Sequence, residues 1–181
     1  MDNSRSCDKF DHSVYVKIST LIFRTVLMGS SEFSVSILEE LARHFFVAGV
    51  ITQPDKPAGR GKQLTPPPVK LMAQKLALPV LQPEKLKNPE NMEQLINWQP
   101  DFIVVAAYGK ILRQNILELP QFGCINVHAS YLPRWRGASP IQAAILNGDD
   151  STGVTIMVMD AGVDTGPILA REKVLVDPDD D

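Results

Sequence analysis

The sequence has few cysteines, few aromatic residues and no long apolar run. Of its 181 residues, 2 are cysteines, 7% are aromatic and 44% are hydrophobic. Two cysteines are too few for a disulfide framework and favour a reducing compartment. The longest apolar stretches, such as residues 102–107, fall far short of the roughly 20 residues that a membrane-spanning helix needs. We therefore expect a globular protein of the cytoplasm without a membrane span.

The N-terminus lacks the features of a targeting segment. No apolar core is followed by a small-residue cleavage site, and three aspartates lie among the first eleven residues. We therefore expect neither a secretory signal nor a transit peptide. We expect residues 1–20 to be a poorly ordered N-terminal extension.

The chain also lacks an excess of positive charge. Its formal net charge is −3, which argues against broad electrostatic binding to nucleic acid. The charge is segregated, however, because residues 53–75 contain five cations and one acid, whereas residues 177–181 are acidic. The five cations are Lys56, Arg60, Lys62, Lys70 and Lys75. Any contact with nucleic acid must therefore be local.

Short apolar runs alternate with stretches of helical periodicity. Strands are predicted at residues 21–28, 46–52, 79–81, 102–106, 124–127, 154–159 and 168–176. Helices are predicted from Ser34 as N-cap and at residues 69–77, 89–98 and 140–146. The density of proline and glycine at 53–62 predicts an irregular loop. The alternation predicts an α/β fold, a Rossmann-like, open and mostly parallel sheet with helices on both faces.

In such sheets, ligands bind beyond the carboxyl ends of the strands. The segment Gly-Ser-Ser-Glu-Phe at 29–33 occupies the place of a dinucleotide fingerprint after the first strand. It lacks the second and third glycines of that fingerprint, which disfavours a nicotinamide cofactor.

Asn126 and His128 lie at the end of a predicted strand, and alternate residues of a strand share a face. An amide next to an imidazole offers a fixed hydrogen-bond donor and a group that titrates near neutrality, which suits the stabilisation of an oxyanion. Considered alone, the pair fits a structural role better, because polar groups at strand ends usually cap loops.

Asp160 and Asp164 flank a turn after a later strand, and one of them could face His128. A carboxylate there favours the charged imidazole, orients the ring and can position a water for proton transfer. Hydrogen bonds from both aspartates to backbone amides of a tight turn fit the sequence equally well.

Three motifs in this part of the chain resemble the folate-dependent formyltransferases. They read Asn-Val-His at 126–128, Ser-Tyr-Leu-Pro-Arg-Trp-Arg-Gly at 130–137 and Asp-Ala-Gly-Val-Asp-Thr-Gly at 160–166. The resemblance covers residues 21–176 and implies the formyltransferase fold, with 10-formyltetrahydrofolate as formyl donor and no metal ion. The acceptor stays open, since glycinamide ribonucleotide formyltransferases and formyltetrahydrofolate hydrolases belong to the same superfamily.

The resemblance also implies roles for individual residues. The catalytic residues are Asn126, His128 and Asp164. The folate-binding residues are Ser130, Tyr131, Leu132 and Pro133. Asn126 and His128 are expected to donate hydrogen bonds to the formyl oxygen while a neutral amine attacks, and Asp164 is expected to help move the amine's proton through a water.

The acceptor is indicated by the segment at 52–62 and the Pro-Pro-Val-Lys that follows at 67–70. Together they resemble a loop that methionyl-tRNA formyltransferases insert near the acceptor stem. The resemblance implies initiator methionyl-tRNA as acceptor, a role in translation initiation and a monomeric enzyme. The implied tRNA-binding residues are Lys56, Arg60 and Lys62. Cations bind phosphates, and glycines permit close approach of the backbone; the alternative is a solvated surface loop.

The chain departs from the family's pattern in three places. The first turn, at 29–33, differs from the usual Gly-Thr-Pro, and Tyr131 replaces a leucine, which is expected to alter folate affinity. The third departure is one of length: we expect residues 21–181 to form the catalytic domain, incomplete at its C-terminal end and without the C-terminal β-barrel domain.

The pteridine ring is expected between residues 105–108, 130–133 and 160–164.

Two other functions fit these features. The first is a formyltransferase that acts on another amine, such as glycinamide ribonucleotide or a nucleotide-linked amino sugar. The second is a catalytically idle remnant that binds folate or RNA.

Overall fold

A computed structural model describes residues 23–58, 63–177 and 179–180. The expected extension at 1–20 lies outside these residues. The strands are β1 (Arg24–Gly29), β2 (Phe46–Ile51), β3 (Lys56–Ala58), β4 (Gln63–Thr65), β5 (Val80–Leu81), β6 (Phe102–Ala106), β7 (Cys124–His128), β8 (Ser151–Val158) and β9 (Ile168–Leu175). The helices are α1 (Glu32–His44), α2 (Pro68–Lys75), α3 (Pro89–Asn97), α4 (Gln114–Leu117) and α5 (Pro140–Leu146).

Seven strands form one sheet in the order β5-β2-β1-β6-β7-β8-β9. The five strands from β5 to β7 pair in parallel, and β8 and β9 pair antiparallel to their neighbours. The mostly parallel sheet predicted from the sequence is therefore confirmed. The chain crosses from β2 and β5 on one side of β1 to β6 on the other, and such a change of direction leaves a crevice at the carboxyl ends of the strands.

Each face of the sheet has its own core. Alternate residues of β1 point to opposite faces, so that Val26 and Met28 pack in one cluster and Leu27 in the other. The first cluster includes Leu95 of α3, while α1 and α2 cover the second. Helices on both faces follow from strands that are apolar on both sides. Cys124 is 1% exposed and belongs to the first cluster.

The start of α1 differs from the prediction. The helix begins at Glu32, and Ser34, which was predicted to be the N-cap, lies within the first turn. Ser34 is fully buried, and its hydroxyl donates a hydrogen bond of 2.6 Å to the carbonyl of Ala106. This serine ties the helix to β6, a long-range contact that helical periodicity cannot reveal.

Residues 53–62 were predicted to be an irregular loop, and this prediction was wrong for residues 56–58, which form β3. Strand β3 pairs antiparallel with β4 to form a two-stranded hairpin, in which Pro57 lies opposite Leu64. A proline fits there because a two-stranded ribbon has free edges on which no ladder hydrogen bond is needed.

Within the described ranges, no helix is long and apolar enough to cross a membrane.

Candidate active site

The carboxyl end of β7 carries two of the predicted site residues. This strand pairs in parallel with β6 and antiparallel with β8, and Asn126 lies opposite Met157 while His128 lies opposite Thr155. The third residue, Asp164, lies in the turn between β8 and β9. Strand β8 ends with Val158 opposite Ile125, so the turn after it begins at the amino end of β7. The turn then folds back along β7 and places Asp164 against Asn126 and His128.

Asn126, His128 and Asp164 are in direct contact. The side-chain amide of Asn126 donates to Oδ1 of Asp164 at 3.0 Å, and Nδ1 of His128 lies 3.6 Å from Oδ2. The backbone N–H of Gly137 donates to the same Oδ2 at 2.8 Å. The side chains of His128 and Asp164 are 7% and 14% exposed, so that water screens their interaction only weakly. One carboxylate thus orients both the amide and the imidazole.

The other ring nitrogen of His128 is also engaged. Its Nε2 lies 2.9 Å from the backbone carbonyl of Trp135. A carbonyl can only accept a hydrogen bond, so Nε2 carries a hydrogen and Nδ1 is the nitrogen that faces the carboxylate. Trp135 and Asp164 have φ values of +61° and +50°, in the left-handed region that non-glycine residues rarely adopt. Backbone strain of this kind clusters at functional sites.

Asp160, the second aspartate of the turn, does not reach His128. Its carboxylate accepts hydrogen bonds from the backbone N–H of Gly162 at 3.0 Å and from the hydroxyl of Thr165 at 2.8 and 3.0 Å. It stabilises the turn that carries Asp164. The structural interpretation of the two aspartates therefore holds for Asp160, while Asp164 faces the histidine.

The predicted folate-binding residues divide into two pairs. Ser130 and Leu132 are buried, and the hydroxyl of Ser130 donates to the carbonyl of Arg134 at 2.6 Å. Tyr131 and Pro133 are exposed, and the guanidinium of Arg171 lies 4.6 Å from the ring centroid of Tyr131. Only the second pair offers side-chain surface to a ligand. The first pair shapes the loop from within.

A cavity of about 320 Å³ opens beside Tyr108, between the segments 84–87 and 110–116. Tyr108 belongs to the wall predicted for the pteridine ring, but the 130–133 and 160–164 segments do not line this cavity. Burial raises the pKa of Tyr108 to about 12, and its hydroxyl has no hydrogen-bond partner among the described residues. A buried hydroxyl without a partner is costly, and a ligand or a water can satisfy it.

The predicted tRNA-binding residues are only partly within the described chain. Lys56 lies in β3, and its Nζ donates to the side-chain carbonyl of Gln53. Arg60 and Lys62 lie outside the described residues. Lys70, another cation of this segment, is bound to both carboxylate oxygens of Asp55 at 2.8 and 2.7 Å, so its charge is already compensated.

The base of the hairpin is fixed to the sheet by side-chain hydrogen bonds. Gln82 donates to Asp55 at 2.7 Å, and Gln53 donates to the carbonyl of Tyr108 at 2.8 Å. The hydrogen bond from Gln82 and the ammonium of Lys70 hold the pKa of Asp55 below its usual range. The carboxylate therefore stays charged and keeps the hairpin next to the carboxyl ends of β2 and β6.

Sequence reasoning missed several groups that build the site. These groups are the N–H of Gly137, the carbonyl of Trp135, the hydroxyl of Thr155, which bonds the backbone of Ser130 and Leu132, and the carboxylate of Asp149, which bonds Arg134 and Trp135. Two of them are backbone atoms, which no residue type marks. Gly137, at φ +102°, could have been suspected, since a glycine after a run of bulky residues often marks a special backbone conformation.

A family model described as formyl transferase matches residues 22–181. The chain belongs to the formyl transferase family. It is 54% identical over 157 residues to the methionyl-tRNA formyltransferase of Myxococcus xanthus (strain DK1622), and 50% identical over 158 residues to that of Geotalea uraniireducens (strain Rf4). Each match covers 87% of this chain and 50% of the relative. The chain thus spans about half the length of the curated relatives it matches.

Solved structures of the formyl transferase family share the fold. A phosphoribosylglycinamide formyltransferase from Streptococcus pneumoniae TIGR4 superposes with a TM-score of 0.70 at 25% identity, covering 88% of this chain and 86% of that chain. A formyltetrahydrofolate deformylase from Pseudomonas syringae pv. tomato str. DC3000 superposes with a TM-score of 0.67 at 26% identity, covering 90% of this chain and 54% of that chain. The predicted formyltransferase fold is therefore confirmed.

Proposed function

We propose that this chain transfers the formyl group of 10-formyltetrahydrofolate to the α-amino group of initiator methionyl-tRNA. The observation that carries the proposal is the direct contact of Asn126, His128 and Asp164 at the end of β7, in a chain 54% identical to a methionyl-tRNA formyltransferase. On this proposal residues 21–181 are the catalytic domain, and the protein acts as a monomer in the cytoplasm during translation initiation.

The reaction requires stabilisation of negative charge on the formyl oxygen. The neutral amine attacks the formyl carbon, and electron density moves onto that oxygen. Asn126 uses one amide hydrogen for Asp164 and keeps the other available for the substrate. His128 is the proposed second donor: its Nε2 hydrogen, bonded here to the carbonyl of Trp135, is shared with the formyl oxygen when the substrate binds. Loss of one donor of this type typically lowers turnover by about 10²–10³-fold.

Asp164 handles the proton of the attacking amine. Its Oδ1 and Oδ2 already accept hydrogen bonds from Asn126 and Gly137, which keep the carboxylate oriented. With its side chain 14% exposed, it can still contact one water at the rim of the site. That water accepts the proton from the amine as the C–N bond forms, and the proton is then relayed to the nitrogen of the departing folate.

The folate is proposed to lie along the carboxyl edge of the sheet. The exposed Tyr131 and Pro133 offer apolar surface on one side, while Ser130 and Leu132 contribute through the backbone of their loop. The cavity beside Tyr108 is proposed to receive another part of the folate. Ligand sites of this kind combine apolar walls with a few fixed polar groups.

The hairpin is proposed to bind tRNA through Lys56, Arg60 and Lys62. Among the described residues the ammonium of Lys56 bonds only Gln53, so a phosphate can replace that partner at little cost. Phosphate contacts position a nucleic acid and make its affinity depend on salt. Lys56→Ala or Arg60→Ala should reduce the salt slope of tRNA binding by about 1 and leave folate binding unchanged. Lys173→Ala, on β9, serves as a charge-matched control.

The deciding experiment measures formyl transfer from 10-formyltetrahydrofolate to charged initiator methionyl-tRNA, with His128→Ala as control. Turnover that disappears in the control supports the proposal. No turnover in a chain that circular dichroism shows to be folded refutes it and favours a remnant that only binds. Glycinamide ribonucleotide is tested as a second acceptor, because the solved relative from Streptococcus pneumoniae is named for that substrate. Turnover with it alone would replace the proposed acceptor.

A further inference from the structure

Asp149 follows α5 and is not one of the three proposed catalytic residues. Its carboxylate accepts four hydrogen bonds. Its Oδ2 accepts from Nε of Arg134 at 2.7 Å and from the indole Nε1 of Trp135 at 2.6 Å. Its Oδ1 accepts from Nη2 of Arg134 at 2.6 Å and from the amide of Asn147 at 2.8 Å. Its backbone N–H donates to Ala144 in α5 at 3.0 Å. Asp149 is thus bonded to α5 through its backbone, and through its carboxylate to the loop that contains Arg134 and Trp135.

These donors also fix the charge of Asp149. The hydrogen bonds from Arg134, Trp135 and Asn147 hold its pKa far below the usual range of an aspartate. The side chain is 12% exposed, so these interactions are partly shielded from water. Asp149 therefore stays charged over the range of pH in which an enzyme works, and its hydrogen bonds to Arg134 and Trp135 persist over that range.

Trp135, whose indole bonds Asp149, has a strained backbone. Its φ of +61° costs a non-glycine residue roughly 1–2 kcal/mol, so other contacts must compensate. The compensating contacts are the indole hydrogen bond to Asp149 and the guanidinium of Arg134, which lies 4.4 Å from the centroid of the Trp135 ring. Without Asp149 both contacts lose their anchor, and the backbone can relax to a commoner conformation.

The strained conformation directs one carbonyl at the active site. The oxygen of Trp135 accepts from Nε2 of His128 at 2.9 Å and from the hydroxyl of Ser130 at 3.4 Å. In the neutral imidazole this acceptor holds the hydrogen on Nε2, in competition with the carboxylate of Asp164, which lies 3.6 Å from Nδ1 and favours a hydrogen there. A rotation of the Trp135 peptide would remove the acceptor, and the tautomer with its hydrogen on Nδ1 would become populated.

We propose that Asp149 is a positioning residue that, by holding Trp135 in the left-handed conformation, fixes the tautomer and orientation of His128. Its effect on turnover rests on the proposed formyl transfer, whereas its effect on the imidazole does not. The carboxylate of Asp149 bonds Arg134, Trp135 and Asn147 and makes no hydrogen bond to Asn126, His128 or Asp164.

The first measurement is the tautomer of His128, read from the ¹⁵N chemical shifts of the imidazole in alkaline buffer. The chain has three histidines, and variants His12→Gln and His44→Gln separate their signals from that of His128. We expect wild type to carry the hydrogen on Nε2 and Asp149→Ala to show a mixture of tautomers. An unchanged His128 tautomer in Asp149→Ala would overturn the proposal, whether or not the chain transfers formyl groups.

Two further variants separate positioning from general stability. Trp135→Phe removes the indole hydrogen bond while leaving the pair of Arg134 and Asp149, and it should reproduce the tautomer mixture. Asp149→Asn retains an oxygen that accepts from the indole, and it should restore most of the wild-type signal. If Asp149→Ala fails to fold, Trp135→Phe decides: a wild-type tautomer in that variant refutes the proposal.

The second measurement is formyl transfer. We expect kcat of Asp149→Ala and Trp135→Phe to fall about 10- to 100-fold, the size of effect that a small misplacement of a catalytic group produces, with KM changed less than about 2-fold. Asp150→Asn is the matched control, because it removes the same charge one residue away on an exposed side chain. A fall in kcat as large in Asp150→Asn, or a change confined to KM, would contradict a positioning role.

Discussion

The hydroxyl of Thr155 holds the loop after β7 against β8, and its removal should be costly. Thr155 is fully buried; its hydroxyl donates to the carbonyl of Ser130 at 2.7 Å and accepts from the N–H of Leu132 at 3.1 Å. Thr155→Val keeps the shape of the side chain but leaves one backbone N–H and one carbonyl buried without partners. Each such group costs about 1–3 kcal/mol, so the variant should lose roughly 2–6 kcal/mol of unfolding free energy.

The loss is large compared with the roughly 5–15 kcal/mol that stabilise a typical protein. Urea unfolding followed by circular dichroism should show a lower midpoint with an unchanged slope, which indicates lower stability without a change in the surface exposed. Thr155→Ser is the matched control: it keeps the hydroxyl and loses one methyl group, which should cost only about 1 kcal/mol. A Val variant within about 0.5 kcal/mol of wild type, or one more stable than the Ser variant, would refute the reasoning.

Three further predictions concern the turn after β8 and the buried thiol. Gly166→Ala should move Asp164 and abolish formyl transfer, since a Cβ there would lie 1.9 Å from the carbonyl oxygen of Val158; activity near wild type would contradict the geometry. In a Cys7→Ser background, Cys124 should stay unmodified by a thiol reagent at pH 8 until urea unfolds the chain, because burial raises its pKa to about 12. The folded state binds that thiol's proton more tightly, so the unfolding free energy should fall as pH rises from 9 toward 12, and by less in Cys124→Ala.

The regular elements could be predicted wherever local signals coincide. Strand β6 has the predicted bounds because an apolar run starts just after Asp101 and ends at Ala107, which has a positive φ. Helix α5 has the predicted bounds because Pro140 suits a first helical turn and Gly148 follows its end. In both cases the residues that decide the boundary are neighbours in sequence.

The contacts of the site could be predicted only in part. Resemblance to a family suggested Asn126, His128 and Asp164 as partners, but no local pattern shows that Trp135 offers its carbonyl to the histidine. Ser34 was misassigned for a related reason, since its hydroxyl bonds a residue 72 positions away. Backbone acceptors and long-range partners depend on how the sheet is assembled, which periodicity does not encode.

The antiparallel return of β8 along β7 has a consequence for how the molecule assembles. The hydrogen bond between Asn126 and Asp164 closes a loop of 38 residues, whereas the contact between Arg24 and Asp101, at the amino ends of β1 and β6, closes one of 77. Halving a loop lowers its closure entropy by about 0.6 kcal/mol. During synthesis β1, β2, β5 and β6, four of the five parallel strands, also leave the ribosome before residue 126. The parallel strands can therefore pair first. The shorter loop that brings Asp164 to Asn126 can then close later, when β8 pairs with β7.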